Sequence, residues 1–370
     1  MHTRGVQLLY RFQSEGQSGA QIENPLFDLL TAVHEAGSIQ HAAKALGASY
    51  RHVWGQLKHW EQVMGEPLVT WTQGQPARLT PFAERLRWAE ARARVRLTPH
   101  IEALRAELER VLAEALDGDQ QVLTVFASHD LALPLLRERA RDQHQLHIDL
   151  RFAGSMDALR ALAEGRCGVA GFHVPGTLRG EPALAKGLKA LLKPGRHKLL
   201  GCTRRTQGLM VAAGNPLALH DLPDVVRLGV RFAHRQAGSG TRLLTDLLLR
   251  PHGLDPAQLD RPGTVVEDSH LAVATAVASG EADAGVGIEA AARQFGLDFI
   301  PLVEEDYFLV CLADALELPA VQALRRVLAD PGWQDLVLTL PGYAPAGRGE
   351  VLSLTRALPW WNFRAPKAER

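Results

Sequence analysis

Three short helical segments in the first part of the chain, each ended by a glycine, constrain the fold more than any other feature. The first segment ends at Gly37 and places apolar residues on one helical face, at Leu26, Leu29, Leu30 and Val33. Ser38 and Ser49 stand where the N-caps of the second and third helices belong. Two β-prone runs around a glutamine-glycine turn then predict a hairpin. This order of elements predicts a winged helix-turn-helix.

The third helix is the element that would read DNA. In a helix-turn-helix the second helix of the motif enters the major groove, and its N-terminal residues reach base edges. Arg51 suits a bidentate pair with guanine, and Arg78 in the hairpin suits a backbone or minor-groove contact. We interpret Trp54, Leu57 and Trp60 as mainly core residues because they recur at helical spacing. The expected DNA-binding residues are Ser38, Ser49, Tyr50, Arg51, His52, Gln56, Lys58 and Arg78.

Charge limits how tightly this module would hold DNA. The chain has 41 Lys and Arg against 41 Asp and Glu, which excludes a protein held to nucleic acid by bulk charge. Residues 1–80 are balanced as well, with six basic and six acidic side chains. Because a neutral module binds weakly alone, we expect two copies on two half-sites. The alternative is a winged helix that contacts proteins.

A second pattern, beginning near residue 82, would supply such a dimer. Apolar residues separated by four, three, four and three positions form a coiled-coil seam. Pro99 lies within the segment, where it would favour a kink, and a long helix packed on its own domain is the alternative. The seam predicts a dimerisation helix with interface residues Leu97, Ile101, Leu104, Leu108 and Val111.

After Gly118, buried-type strands alternate with helices. The order strand, helix, strand predicts parallel sheets covered by helices. A loose internal repeat is also present: Gly154-Ser155 and Asp268-Ser269 each precede a helix, a glycine and a small apolar strand. Two such units predict a two-lobed binding domain with a ligand cleft between the lobes. A single large α/β domain is the alternative.

The strongest chemical motif is the glycine-rich turn from Arg235 to Arg242. Between a strand and the start of a helix, such a turn leaves backbone N–H groups unpaired. These groups and the positive end of the helix face one point, which suits an anion. A tight turn with capping hydroxyls is the alternative. Neutral donors from three further loops would join it, which predicts the ligand residues Ser128, His129, Ser155, Arg235, Gly238, Ser239, Gly240, Thr241, Ser269 and His270. Other candidates to line the cleft are His173, Asp268, Glu289 and Tyr307.

Two parts of the chain resemble known families. Over residues 1–82, GSIQHAAKALGASYRHVWGQLKHWEQVMGEPLV resembles the DNA-binding domain of ModE-type molybdate-responsive regulators, and its Gly37-Ser38 start is shared with LysR-type regulators. Over residues 120–345, RFAHRQAGSGTR and GLDFIPL resemble cytosolic periplasmic-binding-protein-like domains of the molybdate/tungstate-binding class. This second resemblance implies a type II two-lobed fold with an oxyanion cleft, formed by loops that contain Ser128, Ser155, Thr241 and Ser269.

The sequence therefore predicts an α/β chain with an N-terminal winged helix-turn-helix, a linker helix and a type II periplasmic-binding-protein-like two-lobed domain. The predicted bounds are 1–82 for the DNA-binding domain, 83–118 for the dimerisation helix, 119–345 for the sensor and 346–370 for a tail. The predicted function is a transcriptional regulator that responds to molybdate or tungstate, or alternatively to a small carboxylate such as formate. Its predicted partners are operator DNA, this effector and further copies of the chain, as a homodimer or tetramer.

Other classes of protein fit the sequence less well. The first residues lack the features of a signal peptide, and no window is long and apolar enough for a membrane span. Three scattered cysteines fit a reducing compartment, so a cytoplasmic location is expected, with no required cofactor or metal cation. GxSxG, HExxH and dinucleotide motifs are absent, and adjacent Ser128, His129 and Asp130 are not expected to meet as a catalytic triad. We therefore do not expect an enzyme; a pure ligand buffer is a further alternative.

Overall fold

The structure of the chain is a computed structural model that describes residues 12–13, 21–22, 24–71, 76–116, 121–176 and 182–358. The chain divides into two compact units, Gln7–Thr98 and Pro99–Arg370. The predicted hairpin turn and the end of the predicted tail lie outside the described residues. Among the helices of the described part, none has both the length and the apolarity that crossing a membrane requires.

The first unit contains the three helices and the antiparallel hairpin that the sequence predicts. Ser38 caps the second helix, where its Oγ accepts a 3.5 Å hydrogen bond from the amide of His41. Ser49 caps the third helix and accepts a 3.2 Å bond from the amide of His52. The elements are β1 (Phe12–Gln13), β2 (Gln21–Ile22), α1 (Asn24–Ala36), α2 (Ile39–Ala45), α3 (Tyr50–Met64), β3 (Val69–Thr70) and β4 (Arg78–Leu79).

Helix α4 (Pro81–Leu116) follows the hairpin and is continuous through Pro99. Proline has no N–H to donate, so the helix lacks one backbone hydrogen bond at that position. Ala83, near the start of α4, is fully buried in the core of the first unit. Leu108 and Val111, near its end, are 47% and 50% exposed in the single chain. The helix therefore presents part of the predicted seam to solvent.

The second unit is built on one ten-stranded sheet covered by helices. Its strands are β5 (Gln121–Ala127), β6 (Leu146–Phe152), β7 (Val169–Pro175), β8 (His197–Val211), β9 (Phe232–Arg235), β10 (Val265–Glu267), β11 (Ala284–Ile288), β12 (Asp298–Leu312), β13 (Tyr343–Pro345) and β14 (Val351–Ser353). Its helices are α5 (Ala132–His144), α6 (Ser155–Ala163), α7 (Pro182–Leu191), α8 (Leu222–Leu228), α9 (Gly240–Leu249), α10 (His270–Ala278), α11 (Glu289–Gln294), α12 (Pro319–Ala329), α13 (Pro331–Leu338) and α14 (Leu354–Ala357).

The long antiparallel strands β8 and β12 run through both lobes of this unit. The sheet order is β10-β9-β11-β8-β12-β7-β5-β6, with parallel pairs on each flank. The second half of β12 pairs with β7 in the first lobe, whereas the second half of β8 pairs with β11 in the second lobe. The predicted two-lobed α/β fold is therefore confirmed, and the middle of β8 and β12 lies where the lobes meet.

The C-terminal segment belongs to the same sheet. Strands β13 and β14 both pair with β8, and the apolar residues Leu354 and Leu358 pack into the first lobe. The sheet and its core therefore continue beyond residue 345, where the sequence predicted the sensor to end. The segment up to Leu358 is part of this domain, and only the residues after it lie outside the description.

Candidate functional sites

A column of side chains runs along the exposed face of helix α3. The Tyr50 and Trp54 rings are stacked, with centroids 6.3 Å apart and planes 7° from parallel. The Lys58 Nζ lies 4.7 Å from the centroid of the Trp54 ring, which is cation–π geometry. Tyr50 is 51% exposed, so the column offers both an aromatic surface and a positive charge to solvent.

The other residues predicted to contact DNA are placed on the same unit. Ser38 is half-buried and acts as a helix cap, whereas Ser49, Arg51, His52, Gln56 and Arg78 are exposed. The core prediction holds for Leu57, which is fully buried. Trp54 and Trp60 are half-buried and pack against the same core. Trp54 therefore serves the core with part of its surface and the exposed column with the rest.

Glu61 connects helix α3 to the hairpin, a role that the sequence analysis missed. Its Oε1 accepts hydrogen bonds of 3.0 and 3.4 Å from the amides of Leu68 and Val69, and its Oε2 accepts a 2.6 Å bond from Lys58 Nζ. Partial burial raises the pKa of Glu61, but the bonds from Lys58 and the Leu68 amide outweigh it and lower that pKa below its ordinary value. This carboxylate fixes the hairpin against the recognition helix.

In the second unit, buried charges gather around Arg205 in the middle of β8. Arg205 Nε donates a 2.5 Å hydrogen bond to Glu305 Oε1 on β12, and its Nη1 donates a 2.7 Å bond to Asp130 Oδ2 after β5. All three side chains are buried. Burial lowers the pKa of Arg205, but the two carboxylates more than reverse this, and the same pairing holds the pKa of Asp130 far below its usual range. We call Asp130, Arg205 and Glu305 the charged centre.

Ser128 and Asp130 are joined through His173 on β7. The Ser128 Oγ lies 2.8 Å from His173 Nδ1, and His173 Nε2 lies 3.3 Å from Asp130 Oδ2. An ionised carboxylate only accepts, so Nε2 carries the proton and Nδ1 accepts from the Ser128 hydroxyl. Burial and the charge of Arg205 lower the pKa of His173, which keeps the ring neutral. Ser128, His129 and Asp130 therefore do not meet as a triad, as expected from the sequence, because His129 takes no part; Ser128 and Asp130 are instead connected by His173 from another strand.

Tyrosines from the C-terminal half of the chain complete this network. The Tyr343 hydroxyl, on β13, donates a 3.1 Å hydrogen bond to Asp130 Oδ2. The Tyr307 hydroxyl donates a 3.2 Å bond to the carbonyl of Ser128. The network thus draws on the turn after β5 and on β7, β8, β12 and β13, which are distant in sequence.

Arg235 and His270 face the charged centre from the second lobe. The Arg235 side chain is 9% exposed. One of its terminal nitrogens donates a 2.7 Å hydrogen bond to the carbonyl of Asp268. Its buried Nε has no hydrogen-bond partner among the described residues. Burial and the charge of Arg205 lower the pKa of Arg235 to about 10. His270 Nε2 lies 3.4 Å from an Arg205 nitrogen, which only donates, so the proton of neutral His270 is on Nδ1.

His270 Nδ1 is likewise buried without a partner among the described residues. Burial and the charge of Arg235 lower the pKa of His270 well below its ordinary value, so the ring stays neutral. Two buried donors, Arg235 Nε and His270 Nδ1, are thus left for an acceptor. Buried donors without partners are costly, which makes a bound anion or water the natural complement.

The predicted hydroxyl-bearing turns cap helices, as their sequence suggested. Ser239 Oγ accepts a 3.2 Å bond from the Arg242 amide, and Ser269 Oγ accepts a 3.1 Å bond from the Ala272 amide. A hydroxyl that accepts such a bond still has its own hydrogen to donate. The Ser128 hydroxyl differs, because its hydrogen is directed to His173. Gly238 adopts a φ of 83°, a conformation that favours glycine and shapes the turn before Gly240.

The remaining predicted ligand residues differ in their relation to the charged centre. His129 packs on Phe152 with ring centroids 4.8 Å apart, and burial and the charge of Arg235 lower its pKa to about 4. Ser155 begins helix α6, and buried Thr241 accepts a bond from Thr245 through its carbonyl. No hydrogen bond among the described residues joins these turns to the centre. Glu289 pairs with Arg293 on its own helix instead.

Most of the charged centre was not predicted from the sequence. The predicted ligand residues were mainly neutral donors, whereas the structure places Arg205, Glu305 and the amide of Gln207 together at the middle of β8 and β12. One signal was available: residues 203–207 are five consecutive polar residues of β8, and Arg205 and Gln207 stand two positions apart among them. On a β-strand such residues share one face, which marks a polar site within a buried sheet.

Comparisons with known proteins agree with the two-part architecture. Residues 136–329 match the PBP superfamily domain, and residues 26–84 match the bacterial regulatory helix-turn-helix protein, lysR family. The chain is 30% identical over 236 residues to the uncharacterized protein YvgK of Bacillus subtilis (strain 168), covering 64% of this chain and 75% of that one. It is 32% identical over 112 residues to an uncharacterized protein in the ferredoxin 2Fe-2S gene 5' region of Clostridium pasteurianum, covering 30% of this chain and 98% of that one.

Among solved structures, a probable transcriptional regulator from Pseudomonas aeruginosa is 18% identical with a TM-score of 0.40, and covers 82% of this chain and 95% of its own. CbnR, a LysR family transcriptional regulator, is also 18% identical with a TM-score of 0.39, and covers 83% and 99%. Scores at this level are too low to transfer a function.

Proposed function

The chain belongs to the PBP superfamily and carries a LysR-type helix-turn-helix domain, and from this we propose that it is a transcriptional regulator whose two-lobed domain senses a small oxyanion. Molybdate or tungstate is the first candidate effector. The observation that carries the proposal is the pair of buried donors, Arg235 Nε and His270 Nδ1, without partners beside the charged centre.

The partners of Arg235 favour an anion. Asp130 and Glu305 are both bonded to Arg205, whose single positive charge offsets one of their two negative charges. Among the described residues, Arg235 forms no ion pair, and it donates a hydrogen bond to the carbonyl of Asp268. Because a buried guanidinium gains most from a charged acceptor, an oxyanion would stabilise it more than a neutral ligand would. The free hydroxyl hydrogens of Ser239 and Ser269 would add neutral donors.

A small carboxylate such as formate is the second candidate. The planar guanidinium of Arg235 matches the two oxygens of a carboxylate as well as it matches a tetrahedral oxyanion. A hydrolytic role for Ser128, His173 and Asp130 is less favoured. Asp130 already accepts from Arg205 and Tyr343, which weakens its ability to stabilise a charged His173.

On the DNA side, the exposed column on α3 and exposed Arg51 support binding to double-stranded operator DNA. The seam on α4 would pair two chains, as a homodimer or within a tetramer, and so place two recognition helices on two half-sites. We propose that the effector changes how the sensor domains pack and thereby the spacing of those helices. The size of the response is limited by the difference in effector affinity between the two arrangements.

Isothermal titration of the full chain against molybdate, tungstate, sulfate and formate tests the effector. We expect one of these anions to bind, and Arg235→Gln to weaken it about 10- to 100-fold, since a hydrogen bond to a charged group contributes about 1.5–3 kcal/mol. Arg231→Gln is the control, because Arg231 pairs with Asp283 at the surface. If the anion binds equally well to Arg235→Gln, its binding site does not lie in the cleft.

Gel shifts with a duplex selected by the full chain from a random pool test the regulator. We expect the effector to change the affinity or the footprint. An effector that binds without changing DNA binding would indicate that the chain is a pure ligand buffer. Failure to select any duplex would indicate that the winged helix contacts proteins instead of DNA.

A further inference from the structure

A basic cavity of about 330 Å³ lies beside the last turns of helix α12. It is lined by Gln322, Arg325, Arg326, Ala329, Arg348 and Gly349. Three of these six residues are arginines and none is acidic. The cavity shares no lining residue with the charged centre, so it is a separate feature of the second unit.

Close packing of a glycine loop on the helix builds this cavity. Gly349 has a φ of 72°, and a Cβ at that position would lie 2.3 Å from the carbonyl oxygen of Arg325. Arg325 Nε donates a 3.1 Å hydrogen bond to the Gly349 carbonyl and so fixes the loop. Only glycine permits this approach, and its effect is to place Arg348 beside the arginines of α12.

Helix stability explains only part of this arrangement. Arginines in the last turns of a helix interact favourably with its negative end, which accounts for Arg325 and Arg326. It does not account for Arg348, which comes from the loop. Within the described part of the chain, none of the three forms an ion pair, and Arg326 and Arg348 are exposed to solvent.

We propose that this cavity binds the phosphate group of a small phosphorylated molecule. Guanidinium groups bind phosphate oxygens bidentately, and three from two chain segments can surround a tetrahedral dianion. The volume falls in the range of small-molecule sites and exceeds that of one phosphate, which leaves room for the organic part of a phosphate monoester. The chain would then bind two ligands, one in the cleft and one at this cavity.

Isothermal titration of the full chain with inorganic phosphate and with glycerol 3-phosphate tests this proposal. We expect both to bind, the ester more tightly, and Arg348→Gln to weaken both at least tenfold with an unchanged Tm. Arg326→Gln should act in the same direction. Arg160→Gln, at an exposed position on α6, is the matched control and should leave binding unchanged.

Three outcomes would overturn the proposal. Binding that is lost in Arg235→Gln but kept in Arg348→Gln would place the phosphate in the cleft. No binding of either phosphate by the wild-type chain at millimolar concentration would mean that the cavity has no such ligand. A duplex whose affinity falls in Arg348→Gln, with no binding of the small phosphates, would make the cavity a nucleic-acid contact.

Discussion

Arg205 Nη1 donates a 2.7 Å hydrogen bond to Asp130 Oδ2, and this bond joins the centre of strand β8 to the turn that follows β5. Both side chains are buried, and Arg205 binds Glu305 with its Nε at the same time. One guanidinium therefore binds two carboxylates from separate segments of the chain, and the three groups together carry one net negative charge.

Replacing Arg205 should destabilise the domain strongly. Arg205→Met removes the cation and leaves Asp130 and Glu305 buried without compensation, which we expect to cost about 3–5 kcal/mol. Urea unfolding followed by circular dichroism measures this cost. The triple variant that adds Asp130→Asn and Glu305→Gln should recover a large part of it, because neither carboxylate is then left buried without its cation. A triple variant as unstable as Arg205→Met would contradict the electrostatic explanation.

The buried histidines should make stability depend on pH. The pKa of His129 is lowered from its ordinary value of 6.5 to about 4 in the folded chain. At a pH between these two values, the unfolded state therefore binds a proton on His129 and the folded state does not. Stability should therefore fall as the pH falls through this window, by roughly 1–3 kcal/mol for this group. His129→Gln should flatten the profile of unfolding free energy, whereas His220→Gln, at an exposed position, should leave it unchanged.

Two substitutions on helix α3 should separate base reading from phosphate contact. Arg51→Lys should cost about 1–3 kcal/mol on the preferred duplex and reduce the discrimination between duplexes, because lysine lacks the bidentate fork. Lys58→Met should weaken binding on all duplexes alike and lower the slope of affinity against salt by about one. Fluorescence anisotropy at several salt concentrations measures both. A sequence-specific effect of Lys58→Met would instead assign that side chain to a base.

Charges on the seam of α4 should disrupt self-association. Leu108→Lys combined with Val111→Lys places two ammonium groups at positions that are about half exposed in the single chain. We expect the variant to sediment as a monomer with an unchanged fold, and its affinity for a two-half-site duplex to fall about tenfold or more. Leu338→Lys, at a similarly exposed position outside the seam, should sediment like the wild type. A wild-type chain that is already monomeric would refute the assignment of the seam.

Local signals in the sequence predicted the first unit well. Ser38 and Ser49 mark the starts of helices, and the structure places caps at both of them. The two-lobed fold could also be predicted, because the alternation of strands and helices is a local pattern. The charged centre could not, since Asp130, Arg205 and Glu305 meet only through the pairing of distant strands. Their polar character was visible in the sequence, but their partners were not.

The passage of β8 and β12 through both lobes has a mechanical consequence. A domain whose halves are joined by loose loops can swing open widely at little cost. Here the halves share two long strands that are hydrogen-bonded to each other, and the ladder is interrupted where the β12 register shifts, between Pro301 and Val303 and between Tyr307 and Phe308. Opening and closing should therefore be small twisting motions with a firm restoring force, so that ligand occupancy is transmitted as a modest change of angle.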